Sequence, residues 1–229
     1  MVNQDGLLIF DMDGVLVDVS ESFRETIRRT VEHFTGIAVT PELIQQFKNQ
    51  GGWNDDWDLC FRLIRDAGVD VTHETVVSKF QKLFRGENGN DGLISRERWI
   101  AQEGLFDRLG DRHRLAVFTG RFQEEAQVTL KRFAPAVFDP VIGADDVAAL
   151  KPNPDGLLKI LAMVSADRVF YFGDTVDDAR SARAAGVPFI GIAGPNTPRR
   201  DETVEVLRAH GAIAVLSSIN EIEKAIAER

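Results

Sequence analysis

Six short apolar runs, most of them followed by a stretch with helical spacing, limit what this chain can fold into more than any other feature. They are GLLIFD (6–11), RLAVFTG (114–120), VFDPVIG (137–143), RVFYFGD (168–174), PFIGIAG (188–194) and AIAVL (212–216). The runs are near-continuously apolar, not alternating. A strand that is apolar on both faces must be covered on both, which is the condition of a parallel sheet between two layers of helices. The intervening segments predict helices near 95–109, 122–132, 154–163, 178–185 and 201–210, with a last one at 218–228. Thr40-Pro41 and Asn153-Pro154 place a capping side chain before a proline at the first helical position, and Ser218 with Glu221 has capping-box spacing. The expected fold class is α/β, a doubly wound parallel sheet.

One stretch departs from this alternation. Residues 19–90 hold helical patterns near 20–34, 41–48, 55–66 and 73–85 and no strand-like run. They read as an all-helical cap inserted after the first strand, leaving a core of 1–18 and 91–229, with a Gly- and Asn-rich hinge at RGENGNDG (85–92). A chain of 229 residues has room for one such domain plus a modest insertion. The single cysteine, Cys60, lies at helical spacing among apolar residues and reads as a buried small hydrophobe. The N-terminus lacks a basic segment followed by an apolar one, and no apolar run approaches the roughly 20 residues of a membrane helix. The net charge is -9 and no basic patch dominates. A cytoplasmic protein with no nucleic-acid or membrane partner is expected, as a monomer or homodimer.

The strand ends carry the chemistry. In an open parallel sheet, ligands bind beyond the carboxyl ends of the strands. Those ends here read Asp11-Met12-Asp13-Gly14, Thr119-Gly120-Arg121, a loop with Lys151, and Gly173-Asp174 followed by Asp177 and Asp178. Residues two apart in extended backbone face the same way, so Asp11 and Asp13 share a side while Met12 turns from it. Carboxylates so close repel unless a cation intervenes, and Mg²⁺, which takes oxygen ligands, is the expected one, with Asp174 as a further ligand. An Asp beside such an ion is able to attack phosphorus, and a second carboxylate to move the proton. Thr119, Gly120 N–H and Lys151 are the donor types that a transferring phosphoryl group needs. Taken singly the residues have plainer readings: Asp-Gly as a turn, Thr119 as a helix cap, Lys151 as a solvated loop residue, Asp178 as a first-turn acid. Arg121 either reaches substrate or pairs with Glu124 or Glu125.

Four motifs in this order resemble the haloacid dehalogenase superfamily, in particular its phosphoglycolate-phosphatase-like members with a helical cap. DxDGxL matches Asp11 to Leu16, the strand ending in Thr or Ser matches Thr119, the Lys-Pro pair matches Lys151-Pro152, and GDxxxD matches Gly173-Asp174 with Asp178. The resemblance covers the whole chain. It implies a Rossmann-like core and Asp11 as nucleophile and metal ligand. Asp13 would be the acid/base, its carbonyl on the metal; Thr119 and Lys151 would hold the phosphoryl group. Asp174 would bind Mg²⁺, and Asp178 would support that ion. The implied activity is hydrolysis of a small phosphorylated metabolite through an aspartyl-phosphate. A phosphomutase similar to β-phosphoglucomutase shares every core motif, and a silent phospho-ligand-binding module is the alternative from another class. Phosphoglycolate, a sugar phosphate and histidinol phosphate are all open as substrates.

Specificity is expected in KNQGGWNDDWDLCFRLI (48–64), where Gly51-Gly52 breaks a helix, Asn54 reads as the next N-cap, and Asp55, Asp56 and Asp58 crowd the turn. Trp53, Asn54 and one acid are the candidates for touching the leaving group. Acids there favour a hydroxyl- or amine-bearing substrate over one with an extra carboxylate. The same residues also suit a well-started helix and nothing more. His33, His73, His113 and His210 are scattered, without metal-ligand spacing.

Overall fold

The computed structural model describes residues 6–87, 91–134 and 137–227. In chain order the elements are β1 (Gly6–Phe10), β2 (Val17–Asp18), α1 (Phe23–Thr35), α2 (Pro41–Gln50), α3 (Asp56–Asp66), α4 (His73–Arg85) and β3 (Arg98–Trp99). Then come α5 (Leu105–Gly110), β4 (His113–Phe118), α6 (Gln123–Phe133), β5 (Val141–Ile142), α7 (Asp155–Met163) and β6 (Val169–Gly173). The last are α8 (Val176–Ala185), β7 (Phe189–Ile192), α9 (Arg200–Ala209), β8 (Ala212–Leu216) and α10 (Ile222–Ala227).

The main sheet has six strands in the order β5-β4-β1-β6-β7-β8, every pairing parallel. Its connectivity reverses direction between β1 and β6, which is the switch point where doubly wound sheets bind ligands. β1 explains the apolar run that encodes it. Leu8 and Phe10 enter one hydrophobic cluster and Leu7 and Ile9 the other, so each face of the strand has its own core. Phe10 stacks on Phe172 of β6 with centroids 5.1 Å apart and meets Phe106 edge-on at 5.4 Å.

Between β2 and β3 the chain runs through four helices, the all-helical insertion expected after the first strand. α1 packs on α3 and α4, and α3 on α4. Ile27, Leu59, Ile64, Val76, Phe80 and Phe84 are buried there together with Cys60. Thr40 caps α2 as expected, its hydroxyl accepting from Leu43 N–H at 3.2 Å with Pro41 at the first helical position. α2 is also tied to the core. Asn49 donates to Glu202 at 3.1 Å and accepts from the Thr203 hydroxyl at 3.1 Å, and the Asp177 carboxylate accepts Gly52 N–H at 2.7 Å.

Several expectations are corrected. No single helix spans 95–109: a 3₁₀ turn at Leu93–Arg96 leads into β3, and α5 begins only at Leu105. Arg98 and Trp99 pair antiparallel with Asp18 and Val17, so the chain leaves and re-enters the core as a two-stranded ribbon. Tertiary pairing overrides local helical spacing here, and Trp99 stacks on Phe133 at 5.6 Å. Asn153 and Pro154 sit one residue further from their helix than expected: Pro154 takes the cap position, and Asn153 Oδ1 accepts from Asp155 N–H at 3.1 Å. Ser218 and Glu221 do not form a reciprocal box, because Ser218 Oγ accepts from Asn220 N–H while Glu221 accepts from Ser217 N–H. A 3₁₀ turn therefore precedes α10. Residues 88–90 of the expected hinge lie outside the described residues.

Candidate active site

The strand ends converge as the sequence predicts, and the chain beyond β1 shows how. Met12 is fully buried and its carbonyl accepts from Leu16 and Val17 N–H, both at 2.9 Å, which folds residues 12–17 into a tight turn. Gly14 takes φ +76 in that turn, and a Cβ there would meet Asp174 Oδ2 at 2.1 Å. Only glycine lets the first strand end and the fourth motif approach so closely. The turn leaves Asp11 buried and Asp13 with 31% of its side chain exposed. Both line a cavity of about 290 Å³ between the sheet and the helical insertion.

Lys151 organises the buried side of this site. Its Nζ donates to Asp11 Oδ1 and to Asp178 Oδ1, each at 2.7 Å. Burial alone would lower the ammonium pKa, but the two carboxylates more than reverse this and hold it above its ordinary value. An ammonium in such a place is tolerable only when paired, since an uncompensated buried charge costs several kcal/mol. Asp178 has no oxygen to spare: Oδ1 also accepts from Tyr171 OH at 2.6 Å, and Oδ2 accepts from Thr175 N–H and Oγ1. Burial works to raise its pKa, but Lys151, Thr175 and Tyr171 together bring it below the usual carboxylate range. Asp11 is raised well above that range, first by burial, against the pull of Lys151.

Arg121 is buried and answers the question its position raised. It pairs with neither Glu124 nor Glu125, which Arg85 holds at 3.0 Å each. Its Nε donates to Asp13 Oδ1 at 2.8 Å and its Nη2 to the same oxygen, while Glu97 lies 2.8 Å away and Thr129 Oγ1 2.9 Å. Thr129 in turn donates to Glu97 Oε2 at 2.7 Å, closing a buried network around the guanidinium. Glu97 belongs to the segment expected to be helical and was not foreseen as part of the site. Thr119, at the end of β4, is buried with Oγ1 accepting Arg121 N–H at 3.2 Å. Gly120 lines the cavity, and a Cβ there would stand 2.7 Å from Asn54 Nδ2.

On the helical side Asn54 lines the cavity but does not cap α3. Asp55 does, its Oδ1 accepting from Trp57 N–H at 2.7 Å and Asp58 N–H at 3.3 Å. Burial raises the Asp55 pKa above the ordinary carboxylate value. Trp53 is not a wall of the cavity: its ring packs edge-on against Phe47 at 5.2 Å and its carbonyl accepts from Lys48 at 2.6 Å. The tryptophan that faces the cavity is Trp57, tilted against Phe122 with centroids 5.5 Å apart. Lys48 was also not foreseen; it is buried and pairs with Asp56 at 2.6 Å.

Asp11, Asp174 and Asp178 bring one oxygen each within 4.8 Å of one another. Among the described residues Asp174 has no cation in hydrogen-bond contact, and its carboxyl is pushed up to about 7, first by burial and next by Asp178, against the pull of Arg24 and Lys48. Oxygen donors alone, crowded and mutually repelling, suit a hard divalent cation.

Residues 8–192 match the family model of the haloacid dehalogenase-like hydrolases. The chain belongs to that family. Its relatives include an imidazoleglycerol-phosphate dehydratase of Phytophthora nicotianae, 36% identical over 199 residues, or 83% of this chain and 44% of that protein. The chain thus spans less than half the length of that relative. A phosphoglycolate phosphatase of Rhodobacter capsulatus is 24% identical across 80% of this chain and 82% of its own. Among solved structures, a haloacid dehalogenase-like protein of unknown function from Agrobacterium tumefaciens superposes with TM-score 0.76 at 24% identity, covering 99% of both chains. That likeness establishes the fold. In this haloacid dehalogenase-like hydrolase no described helix is long and apolar enough to cross a membrane.

Proposed function

We propose that this haloacid dehalogenase-like hydrolase is a Mg²⁺-dependent phosphatase of a small phosphorylated metabolite, acting through an aspartyl-phosphate on Asp11. The observation that carries the reading is the asymmetry of the two first-motif carboxylates. Lys151 occupies Asp11 Oδ1, leaving Oδ2 to attack, and Arg121 occupies Asp13 Oδ1, leaving Oδ2 to exchange a proton. This asymmetry supports Asp11 as the nucleophile and Asp13 as the acid and base.

In the first half-reaction Asp11 Oδ2 forms a bond to phosphorus, the bond from phosphorus to the ester oxygen breaks, and Asp13 gives that oxygen its proton. In the second, Asp13 takes a proton from water, the water oxygen bonds to phosphorus, and the Asp11–phosphorus bond breaks to release phosphate. Asp11 and Asp174 would hold Mg²⁺, with the Asp13 carbonyl beside them and Asp178 acting through Lys151 and Thr175. Bound there, the ion offsets negative charge on the phosphoryl oxygens. Thr119, Gly120 N–H and Lys151 supply the remaining donors.

Residues 19–90 would serve as the cap and 1–18 with 91–229 as the core, the β2–β3 ribbon marking where the chain passes between them. Asn54 and Trp57 would close the site over the leaving group, excluding bulk water. Phosphate release from a panel of phosphomonoesters, including phosphoglycolate, hexose phosphates and histidinol phosphate, tests this directly. Release that depends on Mg²⁺ and stops with chelator is expected; none from any phosphomonoester with Mg²⁺ present would favour a silent binding module. Recovery of an isomerised sugar phosphate in place of free phosphate would favour a mutase.

A further inference from the structure

Among the described residues, buried side-chain atoms without a hydrogen-bond partner include Arg24 Nη1 and Gln81 Oε1, and both residues line the cavity. Arg24 lies in the first turn of α1 and forms no ion pair among the described residues. Arg24 and Asp174 line the same cavity. Gln81 lies on α4 with its amide orientation fixed. Nε2 points to Glu125 Oε1 at 3.3 Å, and because a carboxylate only accepts, Oε1 is the atom left over. Glu125 is itself held by Arg85. Asp55 adds an acceptor to the same wall, because its Oδ2 takes no hydrogen bond among the described residues while Oδ1 serves as the helix cap. Phe23, Trp57 and Phe122 supply apolar surface between these groups.

Two residues of one cavity thus each keep a buried polar atom without a partner among the described residues, and such an atom is costly until something pairs with it. We propose that Arg24 and Gln81 set the specificity of this cavity. Arg24 donates to an oxygen of the phosphomonoester, and Gln81 Oε1 accepts from a hydroxyl or protonated amine on the leaving group, with Asp55 beside it. The substrate class is an amino-alcohol or polyol phosphate. Phosphoglycolate offers a carboxylate and no donor, so it leaves Gln81 unpaired and sets its charge beside the Asp55 carboxylate. This assignment rests on the phosphatase reading above.

Steady-state kcat/KM with Mg²⁺ for histidinol phosphate, glycerol 3-phosphate and phosphoglycolate tests it. The better donor-bearing ester is expected to exceed phosphoglycolate by roughly 10- to 100-fold, the span one unmet buried hydrogen bond commands. Gln81→Met is expected to shrink that ratio to within about threefold, and Arg24→Met to raise KM for all three esters by about tenfold or more. Should Gln81→Met melt far below wild type, Gln81→Asn withdraws the same oxygen by one methylene and is expected to narrow the ratio likewise. Equal or preferred use of phosphoglycolate by the wild type overturns the proposal, as does a ratio untouched in a folded Gln81 variant. Absence of turnover on every phosphomonoester would bring down the phosphatase reading first and this assignment with it; turnover without preference brings down the assignment alone.

Discussion

The two walls of the cavity are built to different standards. On the sheet side the buried cations are matched: Lys151 sits between Asp11 and Asp178, and Arg121 between Asp13 and Glu97. Asp174 is the acid there without a cation in contact among the described residues, and the proposed reading gives it the metal ion. On the helical side Lys48 has Asp56, but Arg24 and Gln81 each keep a buried polar atom without a partner. A network of paired charges holds its groups in one geometry, which chemistry at phosphorus demands. On the proposed reading this difference divides the labour: the sheet side would fix the reaction, and the helical side would select what reacts.

The comparison breaks first at Lys151. Lys151→Met leaves Asp11 and Asp178 buried and facing each other without their cation, which should cost about 3–5 kcal/mol of stability. Phosphate release should fall by on the order of 10³-fold with it. Urea unfolding and steady-state assays read the two effects separately, and a variant as stable and active as wild type would mean that the network is not the scaffold of the site.

Gly14→Ala tests the approach of the two strand ends. The added methyl collides with Asp174 Oδ2 in a backbone conformation that disfavours side chains. Mg²⁺ affinity by titration calorimetry should weaken by about 10- to 100-fold, the range seen when a ligand loses its support. Glu97→Gln is milder, because the amide still offers an oxygen to Arg121. A loss of about 1–2 kcal/mol is expected in denaturant unfolding, together with a change in the pH profile of turnover that a purely structural role would not produce.

The smallest effect is also the one that isolates Asp174. A carboxyl held up to about 7 in the folded protein, against an ordinary value near 4 when unfolded, keeps its proton on folding in the interval between them. Folding then binds a proton, so stability of the metal-free protein falls as pH rises across that interval. Asp11, also raised by burial, acts in the same direction. Melting temperatures in chelator should therefore drop from about pH 5 to about pH 7, and added Mg²⁺ should remove the drop. A flat profile in chelator would show that Asp174 has a partner the structure does not contain.

How much of this was legible depended on whether the signal was local. Asp11, Thr119 and Asp174 each end an apolar run, and a strand end in a parallel sheet has one place to point. The helical insertion was legible for the same reason, as a long interval with period 3.6 and no such run. Glu97 was not, because it precedes Arg98 and Trp99, which pair with Asp18 and Val17 from the far side of the insertion. Helical spacing in 95–109 carried no trace of that pairing. Trp53 lies in the loop before α3 and Trp57 in its first turn, and that loop is held by Asp177 accepting Gly52 N–H, a contact between residues 125 positions apart. The third acid of the first motif region, Asp18, belongs to the ribbon, with Arg98 3.6 Å away and Ser20 N–H on its carboxylate, and takes no place in the cavity wall.

The most direct measurement is phosphate release by Asp11→Asn on whichever phosphomonoester the wild type turns over fastest, with Mg²⁺ present. Asparagine keeps the shape and one acceptor for Lys151 but cannot act as a carboxylate nucleophile. The structure predicts a loss of on the order of 10⁴-fold or more in kcat with the fold intact by circular dichroism. A rate within about tenfold of wild type would contradict it, since a site missing its nucleophile retains only what binding and donor groups supply.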